Sequence, residues 1–451
     1  MFCVCNNTVN LYLDVFLIMK GSLFIAVKAA FFFYLVCFSV VSLYGGEPAL
    51  ELHKQNMFIE AYGDLPIQGV EVRGLNKTNK SVVLARIQVE QGQPLSSFNP
   101  EKTLQRLRKL NLFHSIAVDY EPAGNGVGII ASLKEKMTLI PLPVIRFSGT
   151  YQAYGLFLLD MNFLGLGKKL FGGVMYIPPR GWNVQVGYID PEFLATDFII
   201  TSKLVIGEEI FENSFPGRPV FQRFEVFHFH SEFTAGYKIF EKHFLSLLSM
   251  YKIGNSSSPE NALDVPPSVQ AFYQGIRYRY RDIYIKQVLT FGLDIITDYA
   301  RGIPVKGDVK GHDYSRLLAK YSLPVFSSHR LSLLVHGGAG EMPPAFETRI
   351  GGMAGYKTLP SNEISADYYI SGTLTYEYPI YHSSFLTVTA AASWEQGAFK
   401  KDDQGMQNAF GPGAGFRVYL KKIAIPAVGL DLVYNIDARE LLFAASVGAA
   451  L

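Results

Sequence analysis

The stretch that most limits what this chain can fold into is Ala271-Phe272-Tyr273-Gln274-Gly275-Ile276-Arg277-Tyr278-Arg279-Tyr280-Arg281. Read as a strand, it places Arg277, Arg279 and Arg281 on one face and Ile276, Tyr278 and Tyr280 on the other. Three arginines cannot face a dry core, and an Ile-Tyr-Tyr face is not built for water. A closed barrel with hydrocarbon outside and water inside satisfies both faces. A pair of soluble β-sandwiches is the competing reading. It leaves the arginine face and the aromatic load without a reason: 34 Phe and 26 Tyr in 451 residues, against 18% charged residues.

After residue 46 the sequence contains no run of about 18 apolar residues, so a membrane crossing by helix is not expected there. Lipid offers a sheet edge no partner, so strands that cross must close on themselves. The one long apolar run is 23–41, preceded by Met19-Lys20 and followed by Ser42, Gly45 and Gly46. It reads as a secretory signal peptide within residues 1–46, with Met19 as an alternative start; a membrane anchor is the other reading. Cys3, Cys5 and Cys37 all lie in that region. The remainder then carries no cysteine, which fits an exported protein without disulfides. A net charge of +2 implies no polyanionic partner, and no nucleic-acid arm is visible.

After a linker at 47–65, residues 66–136 read as a small α/β module of order β-α-α-β-β. Gln68 to Leu75 alternates and reaches Gly74. Asn79 and Asn99-Pro100 are helix starts, and Leu104, Leu107 and Leu110 give the second helix its apolar face. Residues 113–121 and 127–133 alternate around the turn Pro122-Ala123-Gly124-Asn125-Gly126. With "VRGL", "LRKLNLFHSIAVDYEP" and "GNGVGIIASLKEK", this module resembles a POTRA domain. The resemblance implies capture of extended polypeptides by strand addition at a sheet edge. A scaffold that binds nothing is the plainer alternative.

Residues 139–451 read as about sixteen antiparallel strands of roughly ten residues each, running from 142–149 to 441–451. Within them lies Arg349-Ile350-Gly351-Gly352-Met353-Ala354-Gly355-Tyr356. So many glycines weaken a strand, so this octet is expected to form a tight loop near 340–362, folded into the barrel.

The module, the strands and the loop together resemble the BamA/TamA-type outer-membrane assembly factors, the bacterial surface antigen barrels. "DMNFLGLGKKL", "YIDPEFLATDF" and "TLTYEYPIY" carry the resemblance further. It implies an inward loop whose tip arginine pairs with acids on the lumen wall. This sequence departs there: Ala354 stands at the arginine's place, and Thr375 and Thr389 at the acids' places. A buried acid without its cation is costly, so the set is expected to be lost together. Glu377 with Arg349 or Lys357 is a candidate substitute pair; solvated lumen charges are the alternative. The wall residues to watch are therefore Thr375, Glu377, Thr389, Arg277, Arg279 and Arg281.

His228, His230 and Glu232 share one strand face, but same-face neighbours stand about 7 Å apart, too far for a metal without a cross-strand ligand. No phosphate loop, nucleophile elbow or His-Glu-x-x-His helix is present. The sequence thus implies no enzyme, no catalytic residues, no metal and no cofactor. It implies an outer-membrane barrel with its module in the periplasm, handling unfolded outer-membrane or secreted polypeptides, with periplasmic or lipoprotein accessory factors as further partners and no nucleic acid. The alternative is a passive channel or surface antigen barrel that has lost the assembly role.

Overall fold

The computed structural model describes residues 62–148, 151–213, 220–307, 311–326, 328–352, 356–359, 364–383, 386–401, 405–420 and 428–447. The signal peptide, the three cysteines and most of the linker lie outside these residues. The chain divides into Met1–Gly63 and Asp64–Leu451, and the second unit carries the fold.

The module begins with β1 (Ile67–Arg73), followed by helices α1 (Lys80–Ile87) and α2 (Pro100–Lys109), then β2 (Phe113–Ala123) and β3 (Gly126–Glu135). Asn79 and Asn99 cap the helices: their side-chain oxygens accept from the N–H groups of Ser81 and Lys102. The sheet order is β1-β3-β2, with β1 parallel and β2 antiparallel to β3. Ile67, Val83, Ile87, Leu107, Val118, Ile129 and Leu133 are buried, so both helices cover one face of the sheet.

A single sixteen-stranded antiparallel sheet follows. Its strands are β4 (Leu139–Ser148), β5 (Tyr151–Phe163), β6 (Lys168–Ile177), β7 (Gly181–Asp190), β8 (Phe198–Asn213), β9 (Gln222–Phe240), β10 (His243–Ser257) and β11 (Val269–Lys286). They continue with β12 (Leu289–Lys306), β13 (His312–Val325), β14 (His329–Ala339), β17 (Tyr368–His382), β18 (Leu386–Lys400), β19 (Gln407–Leu420), β20 (Val428–Asn435) and β21 (Glu440–Val447). Two short strands, β15 (Thr348–Ile350) and β16 (Ile364–Ala366), pair with each other between β14 and β17. Each barrel strand pairs with its neighbour in sequence except across that insertion, and β4 lies beside β21. Among the described residues no ladder joins β4 to β21.

Strand lengths run from 8 residues in β20 to 19 in β9, not a uniform ten. The extra length carries polar outer positions, such as Glu208 opposite Phe227 and Glu212 opposite Arg223 on β8 and β9. Hairpins held by their own ladders thus continue beyond the apolar belt. That belt is the outer surface: Leu156, Val184, Leu247, Ile276, Ile370 and Leu432 are all exposed. The connections nearest the module are short, and β14–β17 enters the lumen from the opposite end.

Candidate functional site

Between β14 and β17 the described residues 340–352, 356–359 and 364–367 form a strap against the inner wall. Lys401 clamps its base: the ammonium donates to Glu347 at 2.7 Å and to Asp367 at 3.1 Å, and all three side chains are buried. Met342, Ala345 and Phe346 then pack on Phe224, Met250, Tyr273 and Ala300 of β9–β12. Close approach here needs Gly254, since a Cβ there would lie 2.6 Å from the Ala345 methyl.

Arg349 follows in β15. It does not meet Glu377. Its guanidinium donates to Asn213 Oδ1 at 2.6 Å and to the Glu212 carbonyl at 3.3 Å, and stacks 4.0 Å from the Phe211 ring centre. Gly351 and Gly352 have φ of 123° and 58°, backbone that other residues resist, and the Gly352 N–H donates to the Leu359 carbonyl. Ala354 and Gly355 lie outside the described residues.

Tyr356 is the anchor. Its side chain is fully buried, among Ile350, Leu359, Tyr369, Phe399 and Ala409. The hydroxyl donates toward the carbonyls of Ile370 at 2.6 Å and Ala398 at 2.8 Å. The ring lies against Gly397, where a Cβ would come within 2.0 Å of it. The next two residues add polar contacts. Lys357 pairs with Asp431 at 2.8 Å, shared with Arg417 at 2.7 Å. The Thr358 N–H and hydroxyl both donate to Glu395 Oε1, at 2.8 and 2.7 Å. Asn435 donates to the Thr358 carbonyl at 2.8 Å.

One expectation is thereby corrected. The strap does carry a cation and the wall does carry acids that meet it: Lys357 with Asp431, and Glu395 on β18 with Thr358. Thr375 and Thr389 mark places where acids are absent, but the acids stand elsewhere. Glu377 is paired neither with Arg349 nor with Lys357. Arg330 of β14 binds it, and it accepts from Thr389 at 2.5 Å and Tyr419 at 2.7 Å. Glu377, Arg330, Thr389 and Tyr419 are all buried, so their mutual bonds replace water. Thr375 sits two residues from Glu377 on the same face of β17, opposite Ser393 and Ser332.

The arginine strand builds a second inner network. Arg277 holds Asp298 at 2.7 Å and Glu232 at 2.9 Å, and Arg316 reaches the same Asp298 at 2.6 Å. Arg279 binds Asp294 at 2.6 Å, with Arg281 3.6 Å from that carboxylate. Glu232 is thus an arginine partner, and His230 stands 4.0 Å from it. Among the described residues no group of three His, Cys, Asp or Glu side chains is placed to hold a metal. Arg330, Asp431, Arg417, Glu395 and Lys401 were missed in the sequence. Each sits on an inward position, but pairing across strands needs a register.

The module is fastened to the barrel at its near end. Lys77 binds Asp160 at 2.7 Å, and Asn162 donates to the Thr78 hydroxyl at 2.9 Å. The Asn79 N–H donates to the Gly165 carbonyl at 2.8 Å, and Arg86 pairs with Glu192. These contacts come from "DMNFLGLGKKL" and "YIDPEFLATDF", the turns after β5 and β7. Glu135 secures the same corner. Burial pulls its carboxyl up, but bonds from the Thr78 hydroxyl and the N–H groups of Lys77 and Thr78 outweigh it and hold it below the usual range.

No protein-family model matches the sequence, and no curated protein does. The fold is matched among solved structures. BamA from Haemophilus ducreyi lacking POTRA domains 1-3 is similar with a TM-score of 0.56 and 12% identity, over 85% of this chain and 84% of that one. CdiB from Acinetobacter baumannii gives 0.57 and 12%, over 85% and 73%. CdiB from Escherichia coli gives 0.58 and 12%, over 86% and 77%. The strap-bearing sixteen-stranded barrel with a small α/β module ahead of it therefore has the fold of the BamA- and CdiB-type barrels.

Proposed function

We propose that this protein is a non-catalytic outer-membrane factor that inserts or translocates unfolded polypeptides. On this reading residues 66–136 are a periplasmic POTRA domain that takes up extended chains by strand addition to its sheet. The barrel then offers its β4–β21 junction to the client. The observation that carries the proposal is this junction: two adjacent strands with no ladder between their described residues, next to a module fastened to β5–β8. Each unpaired backbone group in hydrocarbon is costly, so two adjacent strands with no ladder between their described residues are the place where an added strand would gain most.

A passive channel is the other class of function. The strap weighs against it, because Arg349 and Lys357 tie it to the wall from Asn213 on β8 to Asp431 on β20.

The test is reconstitution. Liposomes containing the protein are mixed with a urea-unfolded outer-membrane barrel, and its folding is followed by gel mobility without heating. Faster folding than in empty liposomes supports the proposal. An equal rate, together with a large steady conductance in planar bilayers, would replace it with the channel.

A further inference from the structure

Most of the inner wall is charged, but one arc is mainly apolar, with Lys169 of β6 at its border toward Arg279 and Arg281. The inward positions of β4 and β5 include Ile140, Leu142, Phe157 and Leu159, and β6 adds Phe171 and Met175. The residues between them, such as Leu156, Leu158 and Val174, face outward and are exposed. Over 140–144, 155–159 and 171–175 these strands are therefore apolar on both faces, the pattern of a sheet with no water on either side. The aromatic rings lie flat along the wall. A Cβ on Gly173 would fall 2.4 Å from the Phe157 ring, and one on Gly187 would fall 2.1 Å from Phe171. The two packed clusters of the strap draw on β9–β12 and on β17–β19, and Arg349 and Lys357 reach β8 and β20; none of these contacts involves β4–β6.

The edge of β4 that faces β21 tells what can lie along it. Pro141 and Pro143 have no N–H, so neither can belong to a pair that exchanges two ladder bonds. The bonding pairs with β5 are therefore Ile140–Leu159, Leu142–Phe157 and Val144–Gly155. The bond from the Met161 N–H to the Thr138 carbonyl, 2.9 Å, keeps the same alternation. Pro141 and Pro143 thus turn two consecutive carbonyls, and no donor, toward β21. A peptide strand laid along this stretch would leave its own facing carbonyls without donors. A hydrocarbon chain has no acceptors to leave unpaired.

We infer that the inner face of β4–β6 is a binding site for a lipid acyl chain, which reaches it from the outer apolar belt through the proline-edged β4–β21 junction. The continuity of apolar surface around β4 selects this occupant over a client strand. It goes beyond the insertion reading and narrows it: at this junction a client strand would have to add to β21, since the Pro141–Pro143 stretch of β4 is left to the acyl chain.

The test uses tryptophan fluorescence in the full chain, reconstituted in bilayers without client. Trp182 and Trp394, both outward, are first replaced by phenylalanine. Phe157→Trp then reports on the inner face and, in a separate protein, Leu156→Trp on the outer. Lipids brominated along the acyl chain are expected to quench both by similar fractions, while iodide quenches neither. Quenching of Trp at 157 by iodide and not by bromolipid would show a water-lined wall and overturn the inference. Phe157 could be altered by the change itself, so Leu142→Trp repeats the reading from β4. In a further variant, Pro141→Val with Pro143→Val restores the missing donors. It is expected to close the junction and cut bromolipid quenching at 157, leaving that at 156 unchanged; undiminished quenching at 157 would overturn the proposed route.

Discussion

Gly397→Ala tests the strap's anchor. The new methyl would stand 2.0 Å from Cε1 of Tyr356, in a site with no free space, so the ring must leave. Removing a large aromatic from a closed site costs about 3–5 kcal/mol. Losing the hydroxyl's bonds to Ile370 and Ala398 adds about 1 kcal/mol. Taking about 3 kcal/mol as the share felt by docking, the released strap becomes on the order of 100-fold more populated. Trypsin reads this directly, since Arg349 and Lys357 are cleavable only when the strap is out. Gly397→Ala and Tyr356→Ala are each expected to raise cleavage of the folded barrel by about that factor. The double variant is expected to exceed either single one very little, because the methyl then has no ring to displace. Additive effects, or unchanged cleavage in Gly397→Ala, would refute the packing argument.

Three further outcomes follow from the same geometry. Glu377→Gln leaves Arg330 buried without its counter-charge. It is expected to lose about 3–5 kcal/mol in urea unfolding of the barrel, and Arg330→Met with Glu377→Leu is expected to recover most of that loss. Gly165→Ala puts a Cβ 2.1 Å from the Lys77 carbonyl at a φ of 72°, so amide exchange at Asn79 should speed up as the module lifts from the turn. Glu135 has a folded pKa held below its unfolded value, so its stabilisation is present above the ordinary carboxylate pKa of about 4.3 and is lost as pH falls through the folded pKa. Glu135→Gln should therefore weaken protection of the Lys77 and Thr78 amides at pH 7, with the difference fading toward pH 3.

The alternation in 271–281 could be read directly, because side-chain period alone sets the face of a strand. The glycine octet could likewise be placed as a loop, since Gly351 and Gly352 need backbone that few residues adopt. What could not be read was partnership. Lys357 and Asp431 are 74 residues apart, and Arg330 and Glu377 are 47 apart with the whole strap between them. The motif points to Thr375 and Thr389, whereas the acids that meet the strap stand on β18 and β20. Strand length was hidden for a related reason: hairpins such as β8–β9 extend into water on their own ladders, where no apolar pattern marks an end. The two prolines of β4 were visible, but their meaning required knowing which edge faces β21.

The central claim is that this sheet separates hydrocarbon from water, and a nitroxide scan of 276–281 in bilayers measures it most directly. The label should collide with oxygen at 276, 278 and 280, and should respond more to a water-soluble nickel chelate at 277, 279 and 281. Equal exposure to both reagents at adjacent positions would mean that the two faces share one environment, and the barrel would not stand.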